Sequence, residues 1–200
     1  MKNAKKLILL ALCAVLLVGA SVMGTLAYLT STDKVENTFT VGKVEITMDE
    51  ADVDEYGVPV DGATRVQENE YKLIPGHTYT KDPTIHVAQG SEACYVFVKI
   101  ENGIAGIEGT AKIADQLAAN GWAQLATGSD IWYKGTAVDA RNAAQDVAVF
   151  GSFTIATTAS GTDIANLASA KIIVTAYAIQ ADGFNSAVEA WTSASGSFNS

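Results

Sequence analysis

From residue 39 onward, apolar and polar positions alternate with a period of two in several short runs, as in strands that turn one face to a core. Residues 39–48 set Val41, Lys43, Glu45 and Thr47 against Gly42, Val44, Ile46 and Met48. Residues 94–101 are dense in β-branched and aromatic side chains, which suit a pleated surface. Residues 147–156 put Val147, Val149, Phe153 and Ile155 on one face, with Gly151 placed for a bulge. Residues 171–180 are apolar on both faces, the pattern of a central strand covered on two sides, and residues 131–134 add a shorter run. Helix signals are few. Thr110 as N-cap, Ile113 and Leu117 four apart, and Asn120-Gly121 as a stop predict a short crossover helix over 111–119, with weaker candidates at 162–170 and 186–191. These ingredients predict an all-β fold, an Ig-like β-sandwich with one or two short crossover helices.

Turn chemistry refines the pattern. Pro75-Gly76 suits a type II turn that fixes the start of a strand. Pro83 lacks a ladder donor and interrupts 79–87, so that run is expected to be an edge strand or to contain a bulge. The Ser- and Gly-rich tail, 192–200, is expected to fray.

The first 27 residues read differently. Lys2, Lys5 and Lys6 precede an aliphatic run from 7 to 18, and Leu26-Ala27 supplies a small residue for cleavage between Ala27 and Tyr28. This is the layout of a secretory signal helix. The alternative, an uncleaved membrane anchor over 7–23, sits at the short end of what spans a bilayer, and no basic stop-transfer cluster follows it. Leu12 before Cys13 does not fit a lipid-modification box. The expected organisation is a signal peptide at 1–27, an N-terminal segment at 28–38 and a single β-sandwich domain at 39–200.

Charge and cysteine content then narrow the function. Residues 1–27 carry three lysines and no acid, so their removal leaves 173 of the 200 residues and moves the formal charge from −9 to −12. Such an acidic surface disfavours nucleic acid as a partner. Cys94 is left as a lone cysteine in an apolar run, which predicts a core thiol; an intermolecular bridge is the alternative.

A family resemblance rests on three stretches. Gly24-Thr25-Leu26-Ala27-Tyr28 followed by Asn37-Thr38-Phe39-Thr40-Val41-Gly42, the segment Leu73-Ile74-Pro75-Gly76-His77-Thr78-Tyr79-Thr80-Lys81-Asp82, and Thr175-Ala176-Tyr177-Ala178-Ile179-Gln180 resemble, in order, the TasA/camelysin group of secreted Gram-positive proteins. The resemblance implies export through a SipW-type signal peptidase, a jelly-roll-like β-sandwich, and a role as a subunit or accessory of extracellular biofilm-matrix fibres at the cell surface. It also implies head-to-tail assembly with copies of itself or related matrix proteins, in which the N-terminal strand of one subunit completes the sheet of the next. Residues 28–38 have few large apolar side chains of their own, so they suit a donor strand, and Leu29 and Val35 share the parity expected of its anchors. A loose or self-paired N-terminus is the alternative reading of the same segment. Matrix polysaccharide is a further candidate partner.

Catalytic signatures are not evident. His77 and His86 stand nine apart with no His-Glu-x-x-His, and read as two solvent-facing histidines, which argues against a metalloprotease. No Gly-x-Ser-x-Gly elbow occurs, and Cys94 lies where burial would raise its pKa. The chain therefore reads as a non-enzyme without a cofactor. Two binding alternatives remain. Asp49, Asp52 and Asp54, within a run of five carboxylates from 49 to 55, are weak candidates for calcium, although the spacing lacks the order of a calcium loop. Trp122, Trp132, Tyr133 and Trp191 are candidates for a sugar-binding face, with core or rim packing as the competing role.

Overall fold

A computed structural model describes residues 42–194 apart from 168, together with 196, 198 and residues 3, 5, 6 and 10–16. The chain divides into two units, Met1–Thr40 and Val41–Ser200. In the first, residues 10–16 are helical. The second is rich in strands, all paired antiparallel, with a few short helices.

Its strands are β1 (Ile46–Asp49), β2 (Thr78–Thr80), β3 (Thr84–Val87), β4 (Cys94–Asn102), β5 (Trp122–Gln124), β6 (Ile131–Lys134), β7 (Gln145–Ala148), β8 (Ser152–Thr154) and β9 (Ile172–Gln180). They form a three-stranded sheet in the order β1-β3-β7, a two-stranded sheet β2-β8, and a four-stranded sheet β5-β6-β4-β9. All three sheets send side chains into one core. Ile85, Val87 and Val147 come from the first, Tyr79 and Phe153 from the second, and Val96, Val98 and Trp132 from the third.

The parity expected from the sequence holds where it can be followed. Val44, Ile46 and Met48 are half-buried against the core while Lys43, Glu45 and Thr47 are exposed. Val147, Val149, Phe153 and Ile155 are all buried. Residues 147–156 are nonetheless two strands rather than one bulged strand. β7 pairs with β3 and β8 pairs with β2, and the chain changes sheets between Val149 and Gly151. Pro83 acts similarly. It separates β2 from β3 rather than bulging one strand, and β3 lies in the centre of its sheet, not at an edge.

The central strand of the larger sheet is β4, not the run at 171–180. Cys94, Val96, Val98 and Ile100 face the main core, while Tyr95 and Phe97 point to a second cluster with Ile179, Ala187 and Ala190 on the opposite face. β9 pairs only with β4 and forms the edge. Its apolar character on both faces has another cause. Ile172, Val174, Ala176 and Ala178 pack on the main core, and Tyr177 and Ile179 lie in the cluster on the opposite face.

Among the described residues, three α-helices punctuate the strands, α1 (Ile113–Ala119), α2 (Gly161–Ala165) and α3 (Ala187–Ala194), with a 3-10 turn at Ala105–Ile107. α1 buries Ile113 and Leu117 as its spacing predicts, but Lys112 occupies the cap position instead of Thr110, and the Ile113 amide donates to Glu108 Oε1 at 3.0 Å. α2 begins with a capping box, Ser160 and Asp163 each accepting from the other's backbone amide. α3 contributes Ala187, Ala190 and Trp191 to the second cluster, where Trp191 lies 4.9 Å from Phe97 and 5.5 Å from Tyr177. Before β2, Ile74 to His77 form the expected turn, with the His77 amide on the Ile74 carbonyl at 3.1 Å and Gly76 at φ +77°.

Candidate functional site

The two sheet edges carry the most distinctive surface. Among the described residues, no strand pairs with the outer side of β1 or of β9. Both edges line one groove of about 1360 Å³. Ile46 and Met48 stand on one wall, Ile172, Val174 and Ala176 on the other, and Phe153 and Ile104 lie at depth. The apolar wall residues are half-buried against the main core. The core is thus only partly covered along this line, and backbone donors and acceptors of two edges stand beside it.

A buried polar trio is set in the same groove. The inward parity of β1 continues past Met48 to Glu50, which is 4% exposed. Lys81 continues the inward parity of Tyr79 and donates from Nζ to Glu50 Oε2 at 2.6 Å. Asn69 Nδ2 donates to Glu50 Oε1 and to the Ala51 carbonyl, both at 2.9 Å, and Asn69 Oδ1 accepts from the Val53 amide at 3.1 Å. Tyr71 lies beside the trio; burial above all, with the negative charges of Glu50 and Asp82, pushes its phenol well above the usual range. Each buried polar group here has partners, which is what makes its burial tolerable.

Outside the core, a second cluster ties β1, β3 and β7 together. His86 on β3 meets Asp146 of β7 at 2.7 Å through Nδ1 and Asp49 of β1 at 3.0 Å through Nε2. Arg65 bonds Asp49 and reaches Asp82 at 2.9 Å. The hydrogen bonds that His86 donates to Asp49 and Asp146 outweigh burial and raise its pKa above 6.5. At Asp49, burial works upward, but the bonds to His86 and Arg65 win and hold the carboxyl below 3.8. Only imidazolium donates from both ring nitrogens at once. A raised folded-state pKa means that the His86 contribution is complete below pH 6.5 and is lost as pH climbs through the folded value. Thermal unfolding followed from pH 6.5 upward is expected to show falling stability, and His86→Gln should remove that slope; an unchanged slope in the variant would refute the assignment.

No family model, curated protein or solved structure matches the chain. Ala27, Tyr28, Leu29 and Val35 lie outside the described residues. Asp49, Asp52 and Asp54 are described and do not converge. Asp49 is engaged by His86 and Arg65, Asp54 Oδ1 accepts from the Tyr56 and Val58 amides at 2.9 Å, and the Asp52 carbonyl closes a hairpin with the Val60 amide. Among the described residues, no group of three or more His, Cys, Asp and Glu side chains is arranged to hold a metal ion.

The aromatic candidates pack inward: Trp122 and Trp132 are buried, Trp122 Nε1 donates to the Ala148 carbonyl at 3.1 Å, and Tyr133 and Trp191 join the second cluster. Cys94 is fully buried, and burial pushes its thiol up to about 11. The two histidines are not simply solvent-facing. His77 bonds the Tyr56 carbonyl at 2.8 Å and lies edge-on to Tyr79, while His86 bridges two carboxylates. Sequence reasoning missed the Glu50, Lys81 and Asn69 trio. Its signal was the period-two parity of 46, 48 and 50, which places a carboxylate inside and so demands a partner.

Proposed function

We propose that this protein is a secreted structural subunit of an extracellular fibre, and that residues 28–38 of one copy lie in the groove between β1 and β9 of the next. The observation that carries the reading is the groove itself, where two sheet edges stand along a half-covered core. An added strand gains main-chain hydrogen bonds from an edge and buries alternate side chains. Eleven residues, extended at about 3.3 Å each, are long enough to run beside the whole of nine-residue β9. Leu29 and Val35 supply the inward anchors. Donor and acceptor are different surfaces of one chain, so the contact is head-to-tail and propagates.

The resemblance to the TasA/camelysin group supports the same reading, and with it a jelly-roll-like sandwich, export with cleavage between Ala27 and Tyr28, and a structural rather than enzymatic role at the cell surface. The test is electron microscopy of chains beginning at Tyr28 and at Phe39, concentrated at low pH to relieve acidic self-repulsion. Filaments are expected from the longer chain alone. Monomers from both would favour a non-assembling binding domain, and filaments from both would remove residues 28–38 from the mechanism.

A further inference from the structure

Lys81, Asn69 and Glu50 hold an amine, a carboxamide and a carboxyl group together in a mostly buried site on the groove wall. We propose that they form an intramolecular isopeptide bond between Lys81 Nζ and Asn69 Cγ, with Glu50 as the catalytic acid and base. The inference stands apart from the fibre reading, since a monomer would form the same bond.

The geometry separates this trio from an ordinary buried ion pair. One carboxylate holds both reacting groups, with Oε2 on Lys81 Nζ at 2.6 Å and Oε1 on Asn69 Nδ2 at 2.9 Å. Nucleophile and leaving group therefore share a single proton carrier. The Val53 amide donates to Asn69 Oδ1 at 3.1 Å, at the oxygen where negative charge would develop. The Ala51 carbonyl fixes the other side of Nδ2 at 2.9 Å. The Lys81 and Glu50 side chains are 11% and 5% exposed, so the nucleophile and its proton carrier are largely shielded, while Asn69 is half-buried on the groove wall.

The reaction balances without a co-reactant. A proton passes from Nζ to Oε2, leaving a neutral amine and a neutral carboxyl. The Nζ lone pair attacks Asn69 Cγ, and the Cγ–Oδ1 π pair moves to oxygen beneath the Val53 amide. Glu50 delivers its proton to Nδ2 and takes one from Nζ. The pair on oxygen returns, the Cγ–Nδ2 bond breaks, and ammonia leaves, collecting the proton that Glu50 holds. An amide and an ammonium ion replace the alkylammonium and the carboxamide, and nothing is oxidised or reduced. The new bond closes a ring through β2 that contains Tyr71 and Leu73, both in the lining of the groove.

Tryptic peptide mapping of the purified full chain by tandem mass spectrometry tests this directly. Trypsin does not cut after an acylated lysine, so residues 66–72 are expected joined to residues 73–99 in one branched species, lighter than the two together by one ammonia. Asn69→Ala and Lys81→Arg should each give linear peptides. Asn69→Asp should give the same branched product with loss of water instead. Glu50→Gln, checked for folding by its denaturation curve, should remain linear. Linear peptides 66–72 and 73–81 from the folded natural chain would overturn the proposal, whatever the variants do, and a branched species in Glu50→Gln would overturn the role of Glu50.

Discussion

Phe153→Ala is expected to cost about 3–5 kcal/mol of unfolding free energy, the range for deleting a buried aromatic ring. Phe153 is 1% exposed and stacks on Tyr79 with centroids 4.9 Å apart and planes at 14°. Tyr71 meets it edge-on at 5.2 Å. These ring pairs add to the area term by about 0.5–1.5 kcal/mol each. Phe153 is also the direct cross-strand partner of Tyr79 in a sheet of only three residue pairs, so the ring holds β2 to β8. The Tyr79 hydroxyl in turn donates to the Lys72 carbonyl at 2.6 Å and accepts from the Ile74 amide at 2.7 Å, anchoring the segment before the turn. Urea denaturation monitored by tryptophan fluorescence reads the effect as a lower midpoint. A loss under about 1 kcal/mol would mean that the site collapses around the missing ring and that the cluster matters little.

In an Asn69→Ala background, which cannot form the proposed bond, Lys81→Ala is expected to be nearly as damaging, about 3–5 kcal/mol, because removing one partner of a buried pair strands the other charge. Glu50, at 4% exposure, would then have lost both of its side-chain donors, Lys81 Nζ and Asn69 Nδ2. The whole pair is worth far less than this number, since each ion also loses hydration on burial. Replacing both members, with Glu50→Gln and Lys81→Met, should therefore recover most of the loss. A double-mutant cycle by chemical denaturation at neutral pH measures the coupling. Additive losses would show that the two side chains act independently. Asn69→Ala separates the ion pair from the proposed covalent bond, because it leaves the Lys81 and Glu50 contact in place.

The polar trio and the groove meet at the end of β1. There the chain leaves the sheet, and the Glu50 and Val66 backbones exchange hydrogen bonds at 2.8 Å in both directions. Arg65 also bonds the Asp49 and Asp82 side chains, so one short stretch fixes both the outer and the inner face of this edge. A surface on which another strand docks gains from such fixation, because less ordering remains to be done on binding.

The alternation of apolar and polar residues determined which side chains point inward. It placed Val147, Val149, Phe153 and Ile155 in the core, set Ile113 and Leu117 on the buried face of a short helix, and matched Pro75-Gly76 to its turn. These features depend on contacts between near neighbours or on the parity of a single strand. Tertiary structure decided which strands lie side by side. β2 pairs with β8 and β3 with β7 across 58 to 76 residues, and nothing local specifies that choice. The run at 171–180 is apolar because α3 and the main core each cover part of it, a pattern that reads the same for an edge strand as for a central one. The alternation reads only to Met48, Glu50 groups with the acidic residues from 49 to 55, and even a parity extended to Glu50 carries no information about what stands opposite. Lys81 and Asn69 reach that carboxylate from separate segments, and only the folding of those segments against β1 brings an amine and an amide to the same two oxygens.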